Sequence, residues 1–317
     1  MDKKDQKLLY ELSRNARQSE NEIAKKLQLS KQVVNYRIKR LEKSGIIQSY
    51  HPYINWRVLG YNAIRVYFKW QNINPEKEQA IYNEMKKDNF FMWIVKIEGD
   101  VDVGVYIWIR SIPEFAKKWH EWISKYKTSI LKYELFESIN MVHYPFKFFT
   151  DKPEYSEIVL GNEDQLQEYD QLDYHLLKEM THNARISLVE LAKKLKLSSK
   201  TVMQRLKKLE EKGIIKGYFA LINTQKLGYQ FYKVDFYLSD LSKLSQMHEF
   251  AKTHRDIVYR MRTIGGPDYE IEIMVKDTKE MKKIVQEIRT KFPNIIQHYR
   301  FHRLEYTIKQ EYLPGVQ

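Results

Sequence analysis

The sequence contains no cysteine, which excludes disulfides, thiol catalysis and cysteine-ligated zinc or iron–sulfur sites. No stretch approaches the roughly 18 uncharged apolar residues of a membrane-spanning helix. The N-terminus, Met1-Asp-Lys-Lys-Asp5, lacks an apolar signal region, so the expected location is the cytoplasm, without membrane contact. Also missing are a Gly-rich phosphate loop, a serine-nucleophile motif and the His-x-x-x-His spacing of a helical zinc site. Neither a cofactor nor a metal is therefore expected. His143, His298 and His302 fall in late strand regions without acidic companions and read as surface or interface residues.

What is present occurs twice. Asp2 to Tyr61 reappears without a gap as Asp170 to Tyr229, with about half of the paired positions identical. Asn15-Ala-Arg17 matches Asn183-Ala-Arg185, and Gly45-Ile-Ile47 matches Gly213-Ile-Ile215. The offset of 168 residues is far too long for a solenoid, so each copy is a unit that folds largely by itself. The formal charge of +13 points to a polyanionic partner. That charge is concentrated: residues 5–50 carry ten Lys/Arg against five Asp/Glu, and residues 173–218 carry eleven against five. Residues 151–172 hold seven acids and one lysine, a solvated linker in composition.

Each duplicated segment predicts three short helices. Leu8, Leu9 and Leu12 share one face of the first, as do Leu176, Leu177 and Met180 in the copy. Ser30 and Ser198 are placed to cap the third helix, whose apolar seam is Val34, Ile38 and Leu41, or Val202, Leu206 and Leu209. With the short β-rich segment that follows, this is a winged helix-turn-helix pattern. A reading helix must offer polar side chains to base edges and cations to phosphates. The third helix does so with Lys31, Gln32, Asn35, Tyr36, Arg37, Lys39 and Arg40 in the first copy, and with Ser199, Lys200, Met203, Gln204, Arg205 and Lys207 in the second. Asn and Gln suit adenine, and Lys or Arg suit guanine or phosphate. Because the seam is retained while the outward residues differ, the two helices are expected to read unlike half-sites of double-stranded DNA.

After Gly60 and Gly228 the period becomes two. Ile64, Val66, Phe68 and Trp70 alternate with polar or large residues, as do Tyr232, Val234, Phe236 and Leu238. The order β-α-β-β-α-β that follows is a ferredoxin-like sandwich, giving an α+β tandem repeat of winged helix-turn-helix plus ferredoxin-like domain. The expected boundaries are 1–54 and 169–222 for the helical readers, 55–150 and 223–317 for the sheet domains, and 151–168 for the linker. The second sheet face, which includes Tyr106 and Trp108, needs a partner sheet, either the other copy in the same chain or a second chain in a homodimer.

Together these residues resemble the Lrp/AsnC feast-or-famine regulators: Asp170-x-x-Asp173-x-x-Leu-Leu177, Asn183-Ala-Arg-Ile-Ser187, Leu197-Ser198, Gly213-Ile-Ile215 and Gly265-x-x-Asp268-Tyr269, with counterparts through the first copy. The resemblance implies a transcription regulator with an amino-acid effector near the Gly-x-x-Asp turn, here Gly99 and Asp102, and Gly265, Asp268 and Tyr269. In the first copy Val103 stands where the second has Tyr269. Siroheme decarboxylases are built from similar pairs and, as a family, lean on a His-x-Tyr-x-Arg-like segment. Phe91-Met-Trp-Ile-Val95 and Ile257-Val-Tyr-Arg-Met261 lack that histidine, so the chain is expected not to be an enzyme. A nonspecific DNA-packing protein is the alternative that charge alone supports.

Overall fold

The computed structural model describes residues 1–162 and 165–315. In the first copy the reader is α1 (Lys3–Arg14), α2 (Glu20–Leu27) and α3 (Lys31–Lys43), followed by β1 (Ile47–Ile54). The sheet unit is β2 (Asn62–Trp70), α4 (Pro75–Lys87), β3 (Trp93–Glu98), β4 (Val103–Ile109), α5 (Ile112–Tyr126) and β5 (Ile130–His143). Within the expected linker, β6 (Ile158–Leu160) pairs with the end of β5, so this stretch is partly sheet. Its acidic residues 163 and 164 lie outside the described residues. The second copy runs α6 (Gln171–His182), α7 (Leu188–Leu195), α8 (Ser199–Glu211), β7 (Ile215–Ile222), β8 (Gln230–Leu238), α9 (Leu244–Thr253), β9 (Ile257–Ile264), β10 (Tyr269–Val275), α10 (Thr278–Lys291) and β11 (Ile296–Gln310). Among the described residues no helix is long and apolar enough to cross a membrane.

Local chemistry sets the helix boundaries. The Asp2 side chain accepts from the Asp5 amide while the Asp5 carboxylate accepts from the Asp2 amide, a reciprocal capping box repeated at Asp170 and Asp173. Gln28 and Lys196 take left-handed backbone conformations, turning the chain sharply from the second helix into the third. Glycines at positive φ, Gly45 and Gly213, end the third helices.

The two copies join within one chain, at two levels. At the reader level β1 and β7 form an antiparallel two-stranded sheet, and both helical readers contribute to one apolar core. At the sheet level the ring β2–β4–β3–β11–β8–β10–β9–β5 closes on itself through β2–β5 pairing, with every pair antiparallel. Closure depends on the long strands β5 and β11. Residues 130–138 of β5 pair with β2, and residues 137–143 pair with β9 of the other copy. Likewise β11 pairs with β8 and then crosses to β3. This barrel removes the sheet edges that either unit alone would expose. Outside the barrel, α4 and α5 cover one apolar core and α9 and α10 the other.

Candidate nucleic-acid interface and central cavity

The third helices face solvent. Lys31, Gln32, Tyr36, Lys39 and Arg40 are exposed on α3, as are Lys200, Met203, Gln204 and Lys207 on α8, with Ser199 partly covered. Tyr36 is 65% exposed and Met203 51%, large apolar surfaces that the reader core does not use. Other positions have intramolecular tasks. Asn35 Nδ2 donates to Glu20 Oε1 at 2.6 Å. Arg37 Nη1 bridges Asp2 and Asp5, each at 2.7 Å, and Arg40 Nη2 reaches Asp5 at 2.6 Å. Arg205 repeats the arrangement with Asp170 at 2.9 Å and Asp173 at 2.7 Å. The hydrogen bond from Arg37 holds the Asp2 carboxyl below its ordinary range. Thus Arg37 and Arg205 anchor each reading helix to the capping box of its first helix.

The β1–β7 sheet is a platform for both readers. Tyr50 on β1 donates to Glu42 of α3, and Tyr218 on β7 donates to Glu210 of α8. Across the copies, Arg17 Nη1 donates to the Ala184 carbonyl at 2.6 Å and Arg185 Nη1 to the Ala16 carbonyl at 2.5 Å. Each guanidinium lies over the opposite tyrosine, Arg17 on Tyr218 and Arg185 on Tyr50, with 5.4 Å to each ring centre. Reader position is therefore fixed by matched contacts across a pseudo-twofold axis.

In the Gly-x-x-Asp turns the carboxylates are engaged internally. Asp102 accepts from the Trp70 amide at 2.8 Å and from Lys69 Nζ at 2.7 Å, while Asp268 accepts from the Leu238 amide at 2.8 Å. Tyr269 is buried and donates to the Met247 carbonyl. Gly99 and Gly265 have positive φ, as a tight turn between strands requires.

Between platform and barrel lies a cavity of about 810 Å3. Its platform side includes His51, Tyr53 and Phe219, and its barrel side Arg65, Trp93, Tyr106, Trp108, His143 and Glu272. Beyond Arg65, the barrel lumen holds a chain of ion pairs. Arg65 and Glu270, each 1% exposed in its side chain, pair directly. Lys233 reaches Glu270 at 2.8 Å and also Asp235, which meets Arg300 at 2.9 Å; Arg300 in turn meets Glu134 at 2.6 Å. Burial alone would raise the Asp235 pKa, but Lys233 and His302 beside it hold that carboxyl well below the usual range. Glu272 differs: burial pushes it up to about 7, against the pull of Arg65 and Lys233. His143 is pushed down to about 3 and His51 to about 4, both chiefly by burial, so both imidazoles are neutral at pH 7.

These lumen residues escaped the sequence reading. Of the expected surface or interface histidines, His298 is exposed, while His143 and His302 are fully buried where the two copies meet, His143 opposite Tyr259 and His302 against Tyr67. The available signal was charge at alternate strand positions, Arg65, Lys233, Asp235, Glu270 and Glu272, on the face expected to meet a partner sheet; spacing shows that face but not which charges meet across it.

A family model described as winged helix-turn-helix DNA-binding matches residues 1–48 and 169–216. The HTH-type transcriptional regulator LrpA of Pyrococcus horikoshii is 34% identical over 116 residues, covering 37% of this chain and 81% of that protein. The proline dehydrogenase transcriptional activator of Rhodobacter capsulatus is 29% identical over 144 residues, covering 44% of this chain and 94% of its own. Both matches fit within the length of one unit. The crystal structure of the siroheme decarboxylase NirDL has a TM-score of 0.62 at 13% identity and covers 97% of this chain and 92% of that one. At that identity the likeness is one of fold, yet it overturns the expectation that the chain is not an enzyme. The whole tandem architecture is one that an enzyme also has, so neither basic reading helices nor a missing His-x-Tyr-x-Arg-like segment excludes catalysis. With a relative 34% identical over most of its own length, and reader matches in both copies, the chain belongs to the Lrp/AsnC family of transcription regulators in a tandem two-unit form.

Proposed function

We propose that the chain regulates transcription by binding double-stranded DNA at two unlike half-sites. The observation that carries this reading is the pair of solvent-facing reading helices held on one platform with different outward residues: Lys31, Gln32, Tyr36 and Lys39 against Lys200, Met203, Gln204 and Lys207. Gln32 and Gln204 suit adenine edges, the lysines suit guanine or phosphate, and Met203 suits a thymine methyl group. Selection of binding sequences from a random duplex library tests it. The expected product is a site with two different halves at fixed spacing. Recovery of perfect inverted repeats alone, or salt-sensitive binding equal for all sequences, overturns it.

A second reading is favoured by the cavity together with the whole-chain fold likeness: an enzyme acting on an iron tetrapyrrole. NirDL has also been solved in co-complex with an iron-uroporphyrin III analogue. Here the aromatic walls would stack on a macrocycle, Arg65 would meet a carboxylate, and Glu272 would hold a proton near neutral pH. Incubation with siroheme decides it: a shifted absorbance band and carbon dioxide release support the enzyme, and an unchanged spectrum rejects it.

A further inference from the structure

The platform strands have two working faces. On β1, Tyr50 holds α3 through Glu42, while the nearby His51 and Tyr53 line the cavity. On β7, Tyr218 holds α8 through Glu210, while its neighbour Phe219 lines the cavity. His51 also contacts the first helix of the other copy, through Nδ1 and the Thr181 carbonyl at 2.8 Å. A molecule pressing on the cavity face of either strand thus meets the backbone that positions both reading helices.

The chemistry of the cavity also selects an occupant. Four residues that line the cavity each carry a buried polar atom without a hydrogen-bond partner among the described residues: Trp56 Nε1, His143 Nδ1, the Tyr312 hydroxyl and Arg65 Nε, which a side-chain rotation would bring to the cavity surface. Buried polar atoms are rarely left so, because each unmade bond costs about 1–3 kcal/mol. Three of the four are donors, and Glu272 becomes a fourth donor when protonated. The walls are large aromatic rings, among them Trp93, Tyr106 and Trp108. A flat multi-ring molecule carrying carboxylates or other acceptor oxygens satisfies both features. By contrast, the carboxylates of the Gly-x-x-Asp turns are already bonded to the ends of the neighbouring strands β2 and β8.

We propose that the cavity between platform and barrel is an effector site: one flat aromatic molecule with acceptor oxygens binds per chain and resets the separation of the two reading helices. This rests on the DNA-binding reading. It places regulation on the pseudo-twofold axis, where one ligand acts on both readers, and away from the Gly-x-x-Asp turns.

The absence of cysteine makes the test direct. In the full chain, Lys39→Cys and Lys207→Cys at exposed reader positions take spin labels, and the distance between them is measured by pulsed electron resonance. The probe is 1-anilinonaphthalene-8-sulfonate, a fused aromatic body with sulfonate acceptors. Expected are saturable fluorescence at one probe per chain, a shift of at least about 2 Å in the label distance, and a change of at least about fivefold in DNA affinity. Two substitutions fill the cavity from the paired barrel strands β2 and β5, Ala63→Phe and Met141→Phe; in whichever folds, probe affinity should fall at least tenfold and both responses should vanish. Saturating probe with no change in label distance overturns the proposal, as does binding that neither substitution weakens. Failure to select any DNA sequence sinks the regulator reading alone, because the label distance is read without DNA.

Discussion

At the residue scale, the barrel lumen concentrates the largest electrostatic consequences. Glu270 is shared by Arg65 and Lys233 in a site closed to water, so Glu270→Gln leaves two cations short of a counter-charge. Removing one partner of such a buried set is expected to cost about 3–5 kcal/mol, measured as a lower urea midpoint with unchanged slope. Glu272 has the opposite logic. Its folded pKa is raised from about 4.5 to about 7, so the folded state holds the proton more tightly than the unfolded chain. Stability from this group is complete below pH 4.5, falls as pH rises towards 7, and then levels, a difference of about 3 kcal/mol. Glu272→Gln should remove that alkaline loss, giving its largest relative gain above pH 7. His143 titrates the other way. Its folded pKa of about 3 lies below the ordinary 6.5, so its contribution is complete above 6.5 and disappears as pH falls towards 3. Denaturation curves for His143→Phe should therefore show a flatter acid limb.

At the element scale, the reading helices separate two kinds of cation. Lys31 and Lys39 are exposed and have no ion-pair partner among the described residues, whereas Arg37 is tied to Asp2 and Asp5. Each lysine-to-alanine substitution should reduce the salt slope of DNA binding by about 1 if it removes one phosphate contact. Arg37→Ala should lower thermal stability and weaken binding while leaving that slope unchanged; a slope reduced by a full phosphate contact would reassign Arg37 to the DNA. Sequence made the helices legible, because capping residues and apolar seams recur at matching places in both copies. It also marked the outer sheet faces: Ile64, Val66 and Phe68, and Ile271, Ile273 and Val275, all lie in the helix-covered cores. The cavity was not legible. Inward residues such as Arg65 and Glu272 lie on the face expected to meet a partner sheet, but spacing along one strand shows neither which charges meet across that face nor the space left between barrel and platform. Spacing likewise showed Arg37 on the outward side of α3, but not the carboxylates of α1 folded against it.

At the scale of the whole molecule, the chain has the internal arrangement of a dimer, and the covalent connection through residues 151–157 contributes little to it. What joins the copies is β1 on β7, β5 on β9, β3 on β11 and the shared reader core. The largely exposed residues 151–157, which precede β6, can therefore be cut without undoing the assembly. A protease site inserted after Ser156, once cleaved, should give two fragments that co-elute at micromolar concentration and bind DNA within about threefold of the intact chain. If tethering through the linker were what brings the readers together, cleavage would instead lose the effective concentration that a short flexible tether supplies, in the millimolar range. The first fragment expressed alone faces a different problem. Without β9 and β11, the end of β5 and the whole outer side of β3 present unpaired backbone, which promotes self-pairing. It should appear as a homodimer or aggregate until the second fragment is added, whereupon the heterodimer forms. A stable, soluble monomer of the first fragment would mean that barrel closure does not hold the two copies together.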